Sequence, residues 1–395
     1  MTRTATRPQL KAAAAATFLI FGINGLVFAS WAARIPAVTD ILNISSGQMG
    51  TLLLCVAAGS LIALPTAGHV VSRIGTANAV RAAGLVAAVA GAGVALALLA
   101  GSVPATAVAL FFFGMGIGLW DVSQNIEGAD VEHQLGRTIM PQFHAAFSGG
   151  AFLGALIGAG LAGLGVGLPA HLLVIAVIVA ALTMLAPRYF LPHTPAPAPA
   201  AGETRETRGP SAWRDGRTLL IGVVVLGATL TEGAGNDWIA KAAVDGLDAT
   251  ESTGALLFAA FVLAMTAVRF FGGRAIDAYG RVPVLRASMA AAAAGLGIFV
   301  LAGDFWLATA GAVLWGAGAA LAFPMGMSAA ADDPRHAAAR VSVVSTIGYI
   351  AFLAGPPLLG YLGDLVGIRL ALLAIMIPIL GALLLAGAAK PLRAS

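Results

Sequence analysis

Polar side chains are so sparse in this chain that they mark where each apolar run stops. Runs of about 20 apolar residues, the length a helix needs to cross a bilayer, recur twelve times. The first half gives 12–36, 47–70, 79–100, 105–128, 140–163 and 169–190. The second half gives 217–239, 251–272, 284–303, 305–329, 340–363 and 368–388. Between the halves, 191–216 changes character. Pro192, Pro195, Pro197 and Pro199 precede Glu203, Arg205, Glu206 and Arg208, without an apolar period, which reads as a linker. The pattern predicts an all-α integral membrane protein of two six-helix bundles, 1–190 and 217–395, joined at 191–216.

The halves resemble each other. A charged hinge, Gly273-Arg274-Ala275-Ile276-Asp277-Ala278-Tyr279-Gly280-Arg281 followed by Arg286, lies between the eighth and ninth runs. A fainter copy, Gly68-His69-Val70-Val71-Ser72-Arg73-Ile74-Gly75 followed by Arg81, lies 205 positions earlier (273 − 68 and 280 − 75), with Ser72 in place of Asp277. Trp31-Ala32-Ala33-Arg34 and Trp238-Ile239-Ala240-Lys241 end the first and seventh runs. Two bundles repeated in parallel, with a site between them at mid-membrane, is transporter architecture. Each chain would supply both halves of the pathway, so a monomer is expected.

Composition narrows the class. Charged residues are 10% and hydrophobic residues 59% of the chain, against about 25% charged in soluble domains. Assigning alternate loops to opposite sides puts 19 of the 22 Lys and Arg residues on one side and leaves Arg34, Lys241 and Arg369 on the other. The positive-inside rule then predicts a multi-pass protein of the cytoplasmic (inner) membrane with both termini in the cytoplasm. Arg3, Arg7 and Lys11 resemble a signal-peptide n-region, but the run behind them is too long and reads as an uncleaved span. Cys55 is the single cysteine, which excludes an intramolecular disulfide and a cysteine-rich metal site. No phosphate-binding loop, nucleophile elbow or zinc-protease helix occurs, so neither ATP drive nor enzyme chemistry is expected. The expected partners are lipid, protons and a small solute, with no nucleic acid, metal or cofactor.

Ionisable groups inside spans carry the candidate chemistry, because each costs about 2.5–3.5 kcal/mol on insertion scales and needs a reason to be there. Asp121, with Gln124, Asn125 and Gly128, forms an i, i+3, i+4, i+7 face of the fourth span. Burial favours the neutral, proton-carrying form of a carboxyl, so Asp121 is the leading candidate for proton coupling. Glu232, sharing a face with Thr229 and Asn236, is a second candidate, the alternative being a bond to Asn24. Glu127 ranks third and groups with Asp130, Glu132 and Arg137 at the helix mouth. Asp237 is expected to form an outer ion pair with Lys241. Arg34 either neutralises an anionic solute or holds an outer gate through Asp237 or Asp40. His144 and Ser148 are a polar pair on the fifth span. Phe28, Trp31, Trp315 and Tyr349 are candidate cavity walls, and Pro324, Pro356 and Pro357 are expected to bend the tenth and eleventh spans.

The hinge G-x-x-x-D-x-x-G-R with its following arginine resembles the loop signature of the major facilitator superfamily. Trp31–Pro36, Asp121–Asn125 continuing to His144–Gly150, and Glu232–Ala234 with Asp237-Trp238 resemble YbjJ-type bacterial permeases, a branch loosely similar to fucose permeases. The resemblance implies secondary transport by alternating access. It implies gating by Gly68, Arg73, Gly75, Arg81, Gly273, Asp277, Gly280, Arg281 and Arg286, with Asp277 pairing an arginine or capping a helix. It also implies an acid at Asp121 and a sugar contact at His144. Fucose permeases carry an acid in the first span, where this chain has Arg34. The combined expectation is proton-coupled movement of a small polar solute, sugar-like or anionic. The alternatives are a proton-driven exporter of hydrophobic or cationic compounds and a non-transporting membrane sensor.

Overall fold

A computed structural model describes residues 6–137, 139–192, 212–333 and 336–392, and among them every regular element is helical. The helices are α1 Arg7–Ala32, α2 Ile35–Leu42, α3 Ser46–Leu99, α4 Val103–Leu135, α5 Met140–Gly163, α6 Leu168–Leu185, α7 Gly216–Leu247, α8 Glu251–Tyr279, α9 Arg281–Leu301, α10 Phe305–Ala319, α11 Ala322–Ala330, α12 Ala337–Val366, α13 Ile368–Ala371 and α14 Met376–Leu385. Most of the linker predicted at 191–216 lies outside the described residues.

Eleven helical segments are long and apolar enough to cross a membrane. One of them, α3, runs for 54 residues and is two spans meeting at Gly75, whose φ of 78° and ψ of 161° break the helix. Twelve crossings result. Gly280, between α8 and α9, has φ 82° and ψ 162°. This backbone region is open almost only to glycine. The two hinge glycines 205 residues apart therefore share one conformation, and the repeat is a repeat of geometry.

The chain forms two compact units. Unit 1 is Met1–Pro197 with Thr250–Ala259, and unit 2 is Ala198–Ala249 with Ala260–Ser395. The first residues of α8 thus group with unit 1, where the sequence pattern assigned them to the second bundle. Two bonds account for this: Arg34 pairs with Glu251, and Ser252 Oγ donates to the Ala159 carbonyl at 2.8 Å.

Small residues set the packing, as expected where helices associate without a hydrophobic driving force. In unit 1, a Cβ on Gly25 would lie 1.9 Å from the Phe147 carbonyl oxygen, and one on Gly150 would lie 1.8 Å from that of Gly22. Only glycine permits this α1–α5 approach. Ile20, Val27, Val80, Ala87, Trp120 and Val179 fill the core beside it. In unit 2, Trp315 of α10 packs against Phe261 and Phe299.

Proline explains two of the interruptions. Pro36 follows the α1–α2 break, and Pro324 follows the break between α10 and α11. A proline at position 324 has no N–H to give the carbonyl of Ala320. The chain responds by leaving the α-helix at Ala320–Leu321, as expected for the tenth span. Pro356 and Pro357 lie inside α12, which continues through them.

Candidate functional site

In unit 1 the predicted polar face of α4 forms. Gln124 Nε2 and Asn125 Nδ2 each donate to Asp121 Oδ1 at 3.3 Å, and Asn125 Nδ2 also donates to the Asp121 backbone oxygen at 2.8 Å. Asp121 and Asn125 remain partly exposed, whereas Gln124 is sealed and its Oε1 has no partner. His144 of α5 is exposed, lies within electrostatic reach of Asp121, and sets its ring edge against Phe21 at 5.3 Å between centroids. Ser148 is turned back on its own helix, donating to the His144 carbonyl at 3.2 Å. Asn24 of α1 is buried with both amide atoms unpartnered. Buried amide atoms without bonds are rare and call for an explanation.

Glu127 does not join a group at the helix mouth. It is buried, its Oε2 accepts from Thr76 Oγ1 at 2.6 Å, and its Oε1 accepts from the Leu191 N–H at 2.7 Å. It thereby ties α3, α4 and the segment after α6 together. Glu132 caps α5 instead, accepting from the Ile139 and Met140 N–H groups at 2.7 Å each.

Arg34 is fully buried where α1 gives way to α2. Its guanidinium pairs with Glu251 through both carboxylate oxygens, with Nη2 to Oε2 at 3.3 Å, and donates to the Val166 carbonyl at 3.1 Å. Asp40, one of the expected partners, is not bonded to it. Sequence reasoning missed Glu251 because 217 positions separate the pair. The only available signal was the rarity of bases on that side.

Unit 2 holds a second interior pair. Arg269 Nη2 bonds Glu232 Oε2 at 2.6 Å, and Arg269 Nε donates to the Ala320 carbonyl at 3.2 Å. That carbonyl is the one Pro324 leaves without a helical donor. Arginine has a donor for each acceptor, so one guanidinium joins α7, α8 and the α10–α11 break. Two corrections follow. Glu232 is bonded by Arg269, and Arg269, assigned from the sequence to the loop bases, is half-buried within unit 2. Trp315 is not a cavity wall either: it is fully buried, and its indole N–H donates to the Thr231 carbonyl at 3.1 Å. Asp237 makes no ion pair with Lys241, which bonds Asp245 at 2.8 Å. Asn236 and Tyr349 are partly and well exposed respectively, Tyr349 beside the Phe352 ring. Phe28 is partly exposed, while Trp31 is buried and borders a small apolar cavity within unit 1.

At the hinge, Arg281 bonds both oxygens of Asp332 at 3.0 Å, and Arg217 Nη2 reaches Asp332 Oδ2 at 2.8 Å. Asp277, expected to take an arginine or cap a helix, is exposed and has no bonded partner among the described residues. Its place is filled by an acid 51 residues beyond Arg281. In the first copy, Arg81 donates to Asn78 Oδ1 at 3.0 Å, and Arg73 is exposed. Arg286 is exposed, and Gly68 and Gly273 face open space. No cluster of three metal-ligating side chains occurs among the described residues.

Known proteins place this arrangement. The pattern of the Major Facilitator Superfamily matches residues 234–395. An uncharacterized transporter of Sinorhizobium fredii, y4wD, is 33% identical over 371 residues, covering 91% of this chain and 96% of its own length. An uncharacterized MFS-type transporter of Yersinia pestis is 30% identical over 360 residues, covering 90% of each chain. Among solved structures, the nucleoside transporter NupG superposes with a TM-score of 0.72 at 14% identity, over 95% of this chain and 98% of its own. At that identity it speaks for the fold alone. The relatives are similar along nearly their whole length, and the chain belongs to the major facilitator superfamily of membrane transporters.

Proposed function

We propose that this transporter moves a small hydroxyl-rich solute by alternating access, coupled to protons through Asp121. One observation carries the reading. Of the three carboxylates expected to couple, Asp121 is the one that is partly exposed and hydrogen-bonded by neutral amides, at 3.3 Å, with His144 within electrostatic reach. Glu127 has both oxygens bonded, and Glu232 is neutralised by Arg269. Amide donors tolerate a carboxyl in either protonation state, which a group that loads and releases a proton requires.

The solute class follows from what is left over. Gln124 Oε1 and both amide atoms of Asn24 are sealed with their hydrogen-bonding capacity unused; amides suit hydroxyl groups, and alternating access would have to open unit 1 for a solute to meet them. Arg34 and Arg269 each already hold a carboxylate, which favours a neutral solute over an anion. NupG, a nucleoside transporter by name, carries hydroxyl-rich solutes on this fold. A second reading, an exporter of hydrophobic compounds, draws on the apolar cavity beside Trp31, Leu110 and Phe113. Thermal stabilisation of purified protein by pooled sugars, polyols and nucleosides separates the two. The proposal expects one pool to raise the melting temperature and Asn24→Ala to weaken that effect at least tenfold. Stabilisation by apolar compounds alone would favour export.

A further inference from the structure

We propose that a cavity between α7 and α12, inside unit 2, is a binding site for a monovalent cation centred on Asp237. The cavity is small and is lined by Thr229, Gly233, Asp237, Trp238, Phe352 and Pro356 among others. Asp237 is partly exposed and makes no hydrogen bond or ion pair among the described residues. Its nearest base in sequence, Lys241, is bonded to Asp245, and the other acid of α7 at this depth, Glu232, is taken by Arg269. A carboxylate in a spanning helix with no partner is costly and marks a function by default.

The remaining wall is mostly apolar, with Leu230, Ala234, Ala351 and Leu359 beside the residues above, and two acceptors belong to it. Pro356 has no N–H, so the carbonyl of Phe352, four residues earlier and on the same cavity, loses its helical donor. The Thr229 hydroxyl gives its proton to the Val225 carbonyl at 2.9 Å, leaving its lone pairs. The unpaired donor among the lining side chains, the Trp238 indole N–H, is shut off from the cavity surface. A carboxylate, a released carbonyl and a hydroxyl oxygen around a small space attract a positive charge. A single carboxylate suits a charge of one. The oxygen set fits a small alkali ion. The Phe352 ring also fits an ammonium group of an organic solute, which aromatic faces attract. Both sources share the same chemistry. The inference rests on the chain being a membrane transporter and is independent of Asp121.

The test is the melting temperature of the purified full chain in detergent, at constant ionic strength. NaCl, KCl and methylammonium chloride are titrated against choline chloride as the bulky balance salt. The parent is expected to show a saturable rise of several degrees with an alkali ion or with methylammonium, and which one responds identifies the source. Asp237→Asn should weaken the apparent affinity at least tenfold. Gly233→Val is the second probe should Asp237→Asn fail to fold. A built Cβ at Gly233 meets the Phe352 ring at 3.8 Å, so the larger side chain enters the cavity while the carboxylate stays; it too should abolish the rise. No cation-specific rise in the parent, or an equal rise in a folded Asp237→Asn or Gly233→Val protein, would overturn the proposal.

Discussion

At the scale of single residues, the chain shows how a charge is tolerated inside a membrane protein and when it is not. Arg34 is 2% exposed in its side chain and Glu251 29%. Loss of either partner breaks the same pair, but what remains differs. A lone Glu251 can still reach water, while a lone Arg34 cannot. Glu251→Ala should therefore cost about 3–5 kcal/mol, the range for stranding a buried charge, and Arg34→Met clearly less. Melting temperatures of the two variants check the order, and a reversed order would contradict the pairing. Asp121 was readable from sequence because a helix period alone places Gln124 and Asn125 beside it. Glu251, Arg269 and Asp332 were not, since their partners lie 217, 37 and 51 positions away and only the fold brings them together.

At the scale of elements, helix ends and breaks are where side chains complete the backbone. Asp215 opens α7, accepting from Thr218 Oγ1 at 2.6 Å and the Arg217 N–H at 3.2 Å, and it pairs with Arg340 at 3.1 Å. The Thr218 hydrogen bond, helped by Arg340 and Arg217, holds its carboxyl below the usual 3.8 despite some burial. A depressed folded value means that the stability it adds is fully present above the unfolded value and is lost as pH falls through the folded one. Asp215→Ala should cost about 0.5–2 kcal/mol at neutral pH, the usual loss of a cap, and the gap from the parent should close below about pH 3.8. Melting curves from pH 7 down to pH 3 test both the size and the sign. The α10–α11 break was legible because a proline writes it into the sequence. What receives the released Ala320 carbonyl was not, since nothing local specifies Arg269. Pro324→Ala restores an N–H for that carbonyl and competes with Arg269 Nε. A straightened span and a loosened Arg269–Glu232 pair are expected, seen as faster hydrogen exchange in α8.

At the scale of the whole molecule, the fold was almost entirely legible. Lipid demands unbroken apolar runs of fixed length, so twelve crossings and the internal repeat follow from counting. The exception is the start of α8, whose polar bonds attach it to unit 1. The matching conformations of Gly75 and Gly280 make a shared prediction. Alanine at either hinge should cost about 1–3 kcal/mol for the strained backbone, by similar amounts in the two units, read as lowered melting temperatures. An effect at one glycine and none at the other would mean that the repeat is one of sequence only.

We propose that Asp121 carries the proton. The direct test is proton flux in proteoliposomes loaded with a pH-sensitive dye and offered pools of sugars, polyols and nucleosides. The account predicts that one pool triggers a pH change in the parent and none in Asp121→Asn, while the mutant still binds the same solute. An equal pH change in Asp121→Asn, or solute movement in the parent with no pH change, would contradict it.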